Sequence, residues 1–280
     1  MGSEWGFIGL SLVALGSALA LVSLAPRPLK LLGVRVGYAF VDEYCWRFLN
    51  ALASALAMCF GAALAIVSAV APSAGAAVVA SMYVAFVVAT IVVGERVAEK
   101  RLIAYPSLGG GGCEPIARYR PSVALVSSLA LLSLTLFAAT LAYALLLYNE
   151  MPSSIAVHFN AWGEPDLFKP KLVAMEQLLS INAALAALSI VTSVVAVRKP
   201  EVFYRPWLRP KHWRSLAVLS VALASLASAA TSLGIMDVVT YNSLGHHIAG
   251  GMIIITALAI TAAAIAIATL ALEARSSRYR

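Results

Sequence analysis

The chain has 280 residues, of which 61% are hydrophobic and only 12% charged, with a formal net charge of +7. Soluble domains carry roughly 25% charged residues, so this composition excludes an ordinary soluble protein and predicts an integral membrane protein. The basic excess lies beside apolar runs, which reads as a topology signal and not as a nucleic-acid footprint.

A bilayer core about 30 Å thick needs roughly 20 apolar residues of helix. Seven segments meet that length in chain order: 7–25, 49–70, 75–93, 122–147, 172–196, 215–236 and 248–271. The expected fold is therefore all-α, a bundle of about seven transmembrane helices. Apart from Glu176, these cores contain no Asp, Glu, Lys, Arg or His.

The first span has Glu4 ahead of it and no basic residue there, while Arg27 and Lys30 follow it. That order argues against a cleaved signal peptide and for an anchor with its N-terminus outside. Of the 20 Lys and Arg, only Lys169 and Lys171 fall on the side opposite the others. The positive-inside rule then places the C-terminus inside, in a multi-pass protein of the plasma membrane. The lipid bilayer is the first partner implied, and nucleic acid is not one.

The first inner loop contains LLGVRVGYAFVDEYCWRFLNALA, with Asp42 and Glu43 near Arg35. Within the second span, Ala57, Gly61 and Ala65 form a row of small residues that suits close helix packing. Cys45, Cys59 and Cys113 show no metal spacing, and a disulfide does not fit their side of the membrane. Trp46, Trp207 and Trp213 fall near the inner interface, where the amphipathic indole is favoured.

Four glycines, Gly109 to Gly112, mark a seam without the Lys-Ser/Thr of a phosphate loop. The reading divides the chain into a three-span half at 1–94, an inner Gly-rich linker at 95–121, and a four-span half at 122–280. The last carries an outer loop at 148–171.

That outer loop reads MPSSIAVHFNAWGEPDLFKPK from Met151 to Lys171. Ile155, Val157 and Phe159 alternate with Ala156, His158 and Asn160, which predicts a short extended piece. Gly163-Glu164-Pro165-Asp166 reads as a turn, and Pro170 precedes the fifth span. Ile155, Val157, Phe159 and Trp162 need cover, so the loop is expected to pack on the bundle.

His158 is a candidate metal ligand, with His246, His247 and Glu176 near the same surface and Glu150, Glu164, Asp166 and Asp237 also on that side. Imidazoles with carboxylates suit zinc and metal-assisted hydrolysis. Against this, there is no HExxH spacing, and adjacent histidines on a helix point about 100° apart. A histidine hydrogen-bonded within the loop is the alternative. Glu176 either faces a cavity or reaches interfacial water, Lys169, Lys171 or His247.

The outer-loop pattern resembles the domain of unknown function carried by SdpI-type immunity proteins, at Pro152, Ile155, His158, Phe159, Asn160, Gly163, Pro165 and Asp166. The family usually has a second proline where Ala156 stands. The first inner loop is similar to the SdpI signature itself at Gly33, Arg35, Trp46 and Asn50. The two motifs stand in permuted order here. The resemblance implies binding or signalling, or immunity against a toxic peptide, with an extracellular peptide and a cytoplasmic regulator as partners. The competing readings are a membrane enzyme with an outer zinc site and, last, a transporter.

Overall fold

In the computed structural model the described residues are 2–25, 33–34, 36–70, 75–104, 121–160, 162–204 and 210–248, with isolated positions at 257, 260, 261, 264, 265 and 267. Six long helices lie among them: α1 (Gly2–Ser23), α2 (Glu43–Val70), α3 (Gly75–Ala104), α4 (Val123–Leu147), α5 (Lys171–Arg198) and α6 (Pro210–Leu244). Two strands, β1 (Ser154–Phe159) and β2 (Pro165–Pro170), stand between α4 and α5.

Four of these segments, Glu43–Val67, Val123–Glu150, Lys171–Arg198 and His212–Leu244, are long and apolar enough to cross a membrane, and Phe7–Ser23 is a shorter apolar helix. The chain is thus a helical membrane protein. The expected span 248–271 falls almost wholly outside the described residues. α3 continues to Ala104, across the first positions assigned to the linker, and α6 extends beyond 215–236 at both ends.

Helix ends follow from local chemistry. The Cys45 N–H donates to Asp42 Oδ1 at 2.7 Å, so Asp42 caps α2. Ser122 stands in the same position before α4, its hydroxyl accepting from Leu125 N. The row of small residues on α2 receives α1. A Cβ on Gly61 would come within 2.5 Å of the Gly9 carbonyl oxygen, and Ser54 Oγ donates to Gly16 O at 2.7 Å. Close backbone approach of this kind is what small residues permit in lipid.

Buried hydroxyls in α4, α5 and α6 form two layers. In one, Ser133 Oγ donates to Ser189 Oγ at 3.0 Å, and Ser189 and Ser225 share a hydrogen bond of 2.8 Å. In the other, Ser232 Oγ donates to Asn182 Oδ1 at 3.0 Å, and Thr140 Oγ1 reaches Ser232 O at 3.4 Å. Each helix contributes residues seven apart, which is two helical turns and about 10.5 Å. The side chains therefore return to the same seam, and polar bonds replace part of the apolar packing that lipid cannot drive.

An apolar core closes the other end of the bundle. Tyr38, Ala39 and Phe40 of a 3-10 turn (Gly37–Phe40) pack with Trp46, Leu49, Val202, Phe203, Trp213 and Leu216. A Cβ on Gly37 would stand 1.8 Å from the Glu201 carbonyl oxygen, so the 3-10 turn at Pro200–Phe203 lies directly against the first loop.

Candidate functional site

The loop 148–171 forms a β-hairpin. β1 and β2 are antiparallel, pairing Ile155 with Lys169, Ala156 with Phe168 and His158 with Leu167. A bulge between Ala156 and His158 interrupts the alternation, so the consecutive Ile155 and Ala156 are both fully buried. Pro165 and Asp166 start β2 instead of completing a turn. The reversal is made by Asn160, whose Oδ1 accepts from Trp162 N at 2.9 Å and Glu164 N at 3.0 Å. Gly163 takes φ +80°, a backbone that side chains other than hydrogen rarely adopt.

The hairpin packs on the helix ends, as its apolar residues require. Ile155 joins a buried cluster with Ala144, Met151, Ala174, Met175, Ile235 and Val239. Asn242 of α6 holds Ala156 twice, accepting from its N–H at 2.8 Å and donating to its carbonyl at 2.9 Å. That N–H is one a proline at 156 would lack. Phe159 meets Tyr241 and His247 edge-on, with ring centroids 4.8 and 4.7 Å away. Lys171 donates to the carbonyls of Tyr148 and Met151 and lies over the Tyr148 ring. Trp162 departs from expectation: at the hairpin tip, away from the helices, it is 87% exposed.

Two of the histidines each pair with an aspartate. His158 Nδ1 lies 2.5 Å from Asp166 Oδ1 across the hairpin, both side chains being largely open to solvent. His247 Nδ1 lies 2.8 Å from Asp237 Oδ2, and its Nε2 lies 3.0 Å from the Gly163 carbonyl oxygen at the hairpin tip. Asp237 is buried near the end of α6, and its other oxygen accepts from Ile248 N at 2.8 Å. Burial lowers the His247 pKa, but the hydrogen bonds to Gly163 and Asp237 together with the carboxylate charge outweigh it and raise the group above its ordinary value. Two acceptors on two ring nitrogens favour the imidazolium.

His246 Nδ1 faces the His247 carbonyl at 3.2 Å, and Glu176 is exposed on α5. His158, His246, His247 and Glu176 therefore do not converge. No group of three or more His, Cys, Asp or Glu suited to a metal occurs among the described residues. Lys169 Nζ donates to Gln177 Oε1 at 3.2 Å, while Lys171 points at backbone carbonyls. Of the residues that fix the hairpin, Asp237 was named only among the outer-side carboxylates, and Tyr241 and Asn242 were missing from the candidate set. Their sequence signal is a polar cluster at one end of an otherwise apolar helix.

At the opposite end, three of the four inner-loop motif residues come together. Asn50 Oδ1 accepts from Val34 N at 2.8 Å, and its Nδ2 donates to Trp46 O at 2.8 Å. Gly33 has φ +94°, and a Cβ there would lie 2.5 Å from Trp46 Cη2. Arg35 lies outside the described residues. Nearby, Arg101 grips Asp42 Oδ2 at 2.6–2.7 Å, and Lys199 pairs with Glu95. Burial raises the Asp42 pKa, but the Cys45 N–H and the Arg101 guanidinium together hold the carboxyl below its ordinary range. Tyr38 donates to Glu201 Oε1 at 3.0 Å, and burial, reinforced by the Glu201 charge, keeps its hydroxyl protonated well beyond the ordinary phenol range.

A helical membrane bundle with a short β-hairpin docked on its helix ends is the class of protein these features define. Within the chain, residues 135–176 match a domain of unknown function (DUF1648), one found in SdpI-type proteins. The match covers the later part of α4, the hairpin and the start of α5. No curated protein and no solved structure matches the chain.

Proposed function

We propose that this chain is a membrane binding or signalling protein, similar in role to SdpI-type immunity proteins, that recognises a toxic peptide on its hairpin. The observation that carries the reading is the division of labour within the hairpin. Ile155, Ala156, Phe159 and Gly163 fasten it to the helix ends, while His158, Asp166, Trp162, Leu167 and Phe168 remain exposed. A rigid element presenting exposed aromatics beside a polar pair suits recognition, because little ordering entropy is left to lose on binding.

In this reading the protein sits in the plasma membrane with its N-terminus and hairpin outside. The halves 1–94 and 122–280 are joined by the linker 95–121, and the basic inner end meets a cytoplasmic regulator. A sensitive bacterial host expressing the protein is challenged with a panel of secreted antimicrobial peptides. Protection against one of them, lost in Trp162→Ala and Phe168→Ala, is the expected result. Loss of the reading follows if no peptide is resisted and none crosslinks to a photoreactive group at Trp162.

The alternative, an enzyme with an outer zinc site, draws support from one feature. Asp166 on His158 Nδ1 leaves Nε2 directed to solvent, the arrangement by which a carboxylate orients a metal-bound histidine. Near-stoichiometric zinc in the purified protein, lost in His158→Ala, would favour it. Transport has the least support, since ionisable groups are scarce in the spans.

A further inference from the structure

α1 and α3 both pack on α2 but hardly on each other, which leaves a groove between them. Its larger part is a cavity of about 430 Å³, lined by Leu19 of α1, Gly33 and Val34 of the first loop, and Val87, Thr90 and Ile91 of α3. A second cavity of about 140 Å³ lies further along, between Leu15, Phe60 of α2 and Met82. Phe86 lines both. Leu12 and Val79 both pack on the fully buried Leu64 and close the far end. The stretch of α3 from Val79 to Ile91 is about 18 Å long, close to one leaflet of a hydrocarbon core about 30 Å thick.

The inner-loop motif builds the near end. Gly33 sits so close to Trp46 and Asn50 that a Cβ would collide with both, and Asn50 Oδ1 accepts from Val34 N at 2.8 Å. Gly33, Trp46 and Asn50 thus hold the backbone that forms this wall. The groove makes no demand for a hydrogen bond. Thr90 is the one polar side chain named in its lining, and its hydroxyl donates to the Phe86 carbonyl at 2.7 Å. The occupant is therefore apolar and narrow.

Charge lies beyond the near end. Past Ile91, α3 carries the exposed Arg96 and Lys100 against one exposed acid, Glu99. Between Glu4 and Asp42 the sequence holds Arg27, Lys30 and Arg35 and no acidic residue. An apolar slot that ends at a basic level of the membrane suits a tail carrying a phosphate.

We infer that the groove between α1 and α3 is a binding site for one acyl chain of a phospholipid, with Gly33, Trp46 and Asn50 shaping its mouth. An unfilled void forfeits the dispersion contacts of its lining, and a lipid tail restores them without burying a polar group. Exposed leucines on α4, such as Leu132 and Leu145, are not in either cavity and serve as the reference for ordinary lipid contact. The inference does not depend on the peptide-binding reading, since the hairpin lies at the opposite end of the helices.

The test uses the full-length protein in vesicles of phosphatidylethanolamine and phosphatidylglycerol, with a small fraction of phosphatidylglycerol bearing a diazirine on one acyl chain. After photolysis the labelled residues are mapped by mass spectrometry. Labelling several-fold higher at Leu19, Phe86 and Ile91 than at Leu132 and Leu145 is expected. Val87→Trp, which fills the larger cavity, should bring the groove down to the α4 level and leave α4 unchanged. Leu19→Trp fills it from the other wall if the first variant does not fold. Equal labelling of groove and α4 in the wild type overturns the proposal, as does groove labelling that persists undiminished in a folded tryptophan variant. A groove that takes no label while α4 does would mean that protein fills it, and overturns the proposal as well.

Discussion

Asn242 makes to Ala156 both hydrogen bonds that a neighbouring strand would make, one to its N–H and one to its carbonyl. One side-chain amide of α6 therefore occupies the edge of β1 next to the bulge, at a fully buried position. An unpaired backbone amide there costs about 1–3 kcal/mol. Asn242→Leu should remove both bonds and raise the rate at which added protease cuts between Ser154 and Pro170, with helix content unchanged. Cleavage at the wild-type rate would mean that the apolar contacts of Ile155 hold the hairpin alone.

His247 joins the hairpin tip to α6, and its protonation sets the strength of that joint. Its folded pKa lies above the ordinary value of 6.5. A group raised in the folded state stabilises fully below its unfolded pKa, and this stabilisation is lost as pH rises through the folded pKa. The groups facing it are Asp237 and Tyr241 on α6 and the Gly163 carbonyl on the hairpin. Hydrogen exchange of the amides in residues 160–164 should be slowest in acid below pH 6.5 and accelerate, beyond the intrinsic pH effect, as the imidazolium deprotonates. His247→Gln should abolish that extra dependence. An unchanged profile in the variant would show that His247 does not set the dependence.

The seven-residue spacing of Ser133 and Thr140, Asn182 and Ser189, and Ser225 and Ser232 was present in the sequence, yet only the structure turns it into layers. Composition marks segments as apolar enough to span, because lipid tolerates little else, and four of the seven expected segments are such helices among the described residues. It does not fix which small polar residues face each other, since Ser and Thr also satisfy themselves on their own helix. The hairpin motif was legible for the same reason that it is rigid: Asn160, Gly163 and Pro165 act locally. Tyr241 and Asn242 were not, because their partners Phe159 and Ala156 lie far away in sequence. The alternation in β1 missed the bulge between Ala156 and His158, beside which Asn242 bonds Ala156.

Gly37 tests the contact between the two loops at the basic end. A Cβ placed there would overlap the Glu201 carbonyl oxygen at 1.8 Å. Gly37→Ala must displace the 37–40 turn from the 200–203 turn and break the Tyr38–Glu201 hydrogen bond. Overpacking typically costs about 1–3 kcal/mol, and a lost partnership at a partly buried carboxylate adds to it. The melting temperature in detergent should fall by several degrees, and Tyr38→Phe should fall less, since it removes the bond without the overlap. Equal losses would mean that the hydrogen bond carries the contact.

Asp42 caps α2 and binds Arg101, so Asp42→Ala should cost about 1–2 kcal/mol from the cap alone. Its pKa is depressed, so its contribution is present above the ordinary value of 3.8 and is lost as pH falls through the lower folded value. Acid unfolding of Asp42→Asn should show a weaker pH dependence below 3.8 than the wild type, measured by circular dichroism in detergent. Identical acid limbs would show that Asp42 is equally acidic in both states.

The orientation of the chain is open to a direct measurement at Trp162, whose side chain is 87% exposed at the hairpin tip. In a background with Cys45, Cys59 and Cys113 replaced by serine, Trp162→Cys should react with a membrane-impermeant maleimide in intact cells. Glu201→Cys, at the opposite end of α5 beside Lys199, should react only after permeabilisation. The expectation rests on the basic residues gathered at the Glu201 end, which the positive-inside rule keeps in the cytoplasm. Labelling of Glu201→Cys in intact cells, with Trp162→Cys protected, would invert the topology. It would also place the hairpin in the cytoplasm, where a secreted peptide does not reach it, and the binding reading would then need a cytoplasmic ligand.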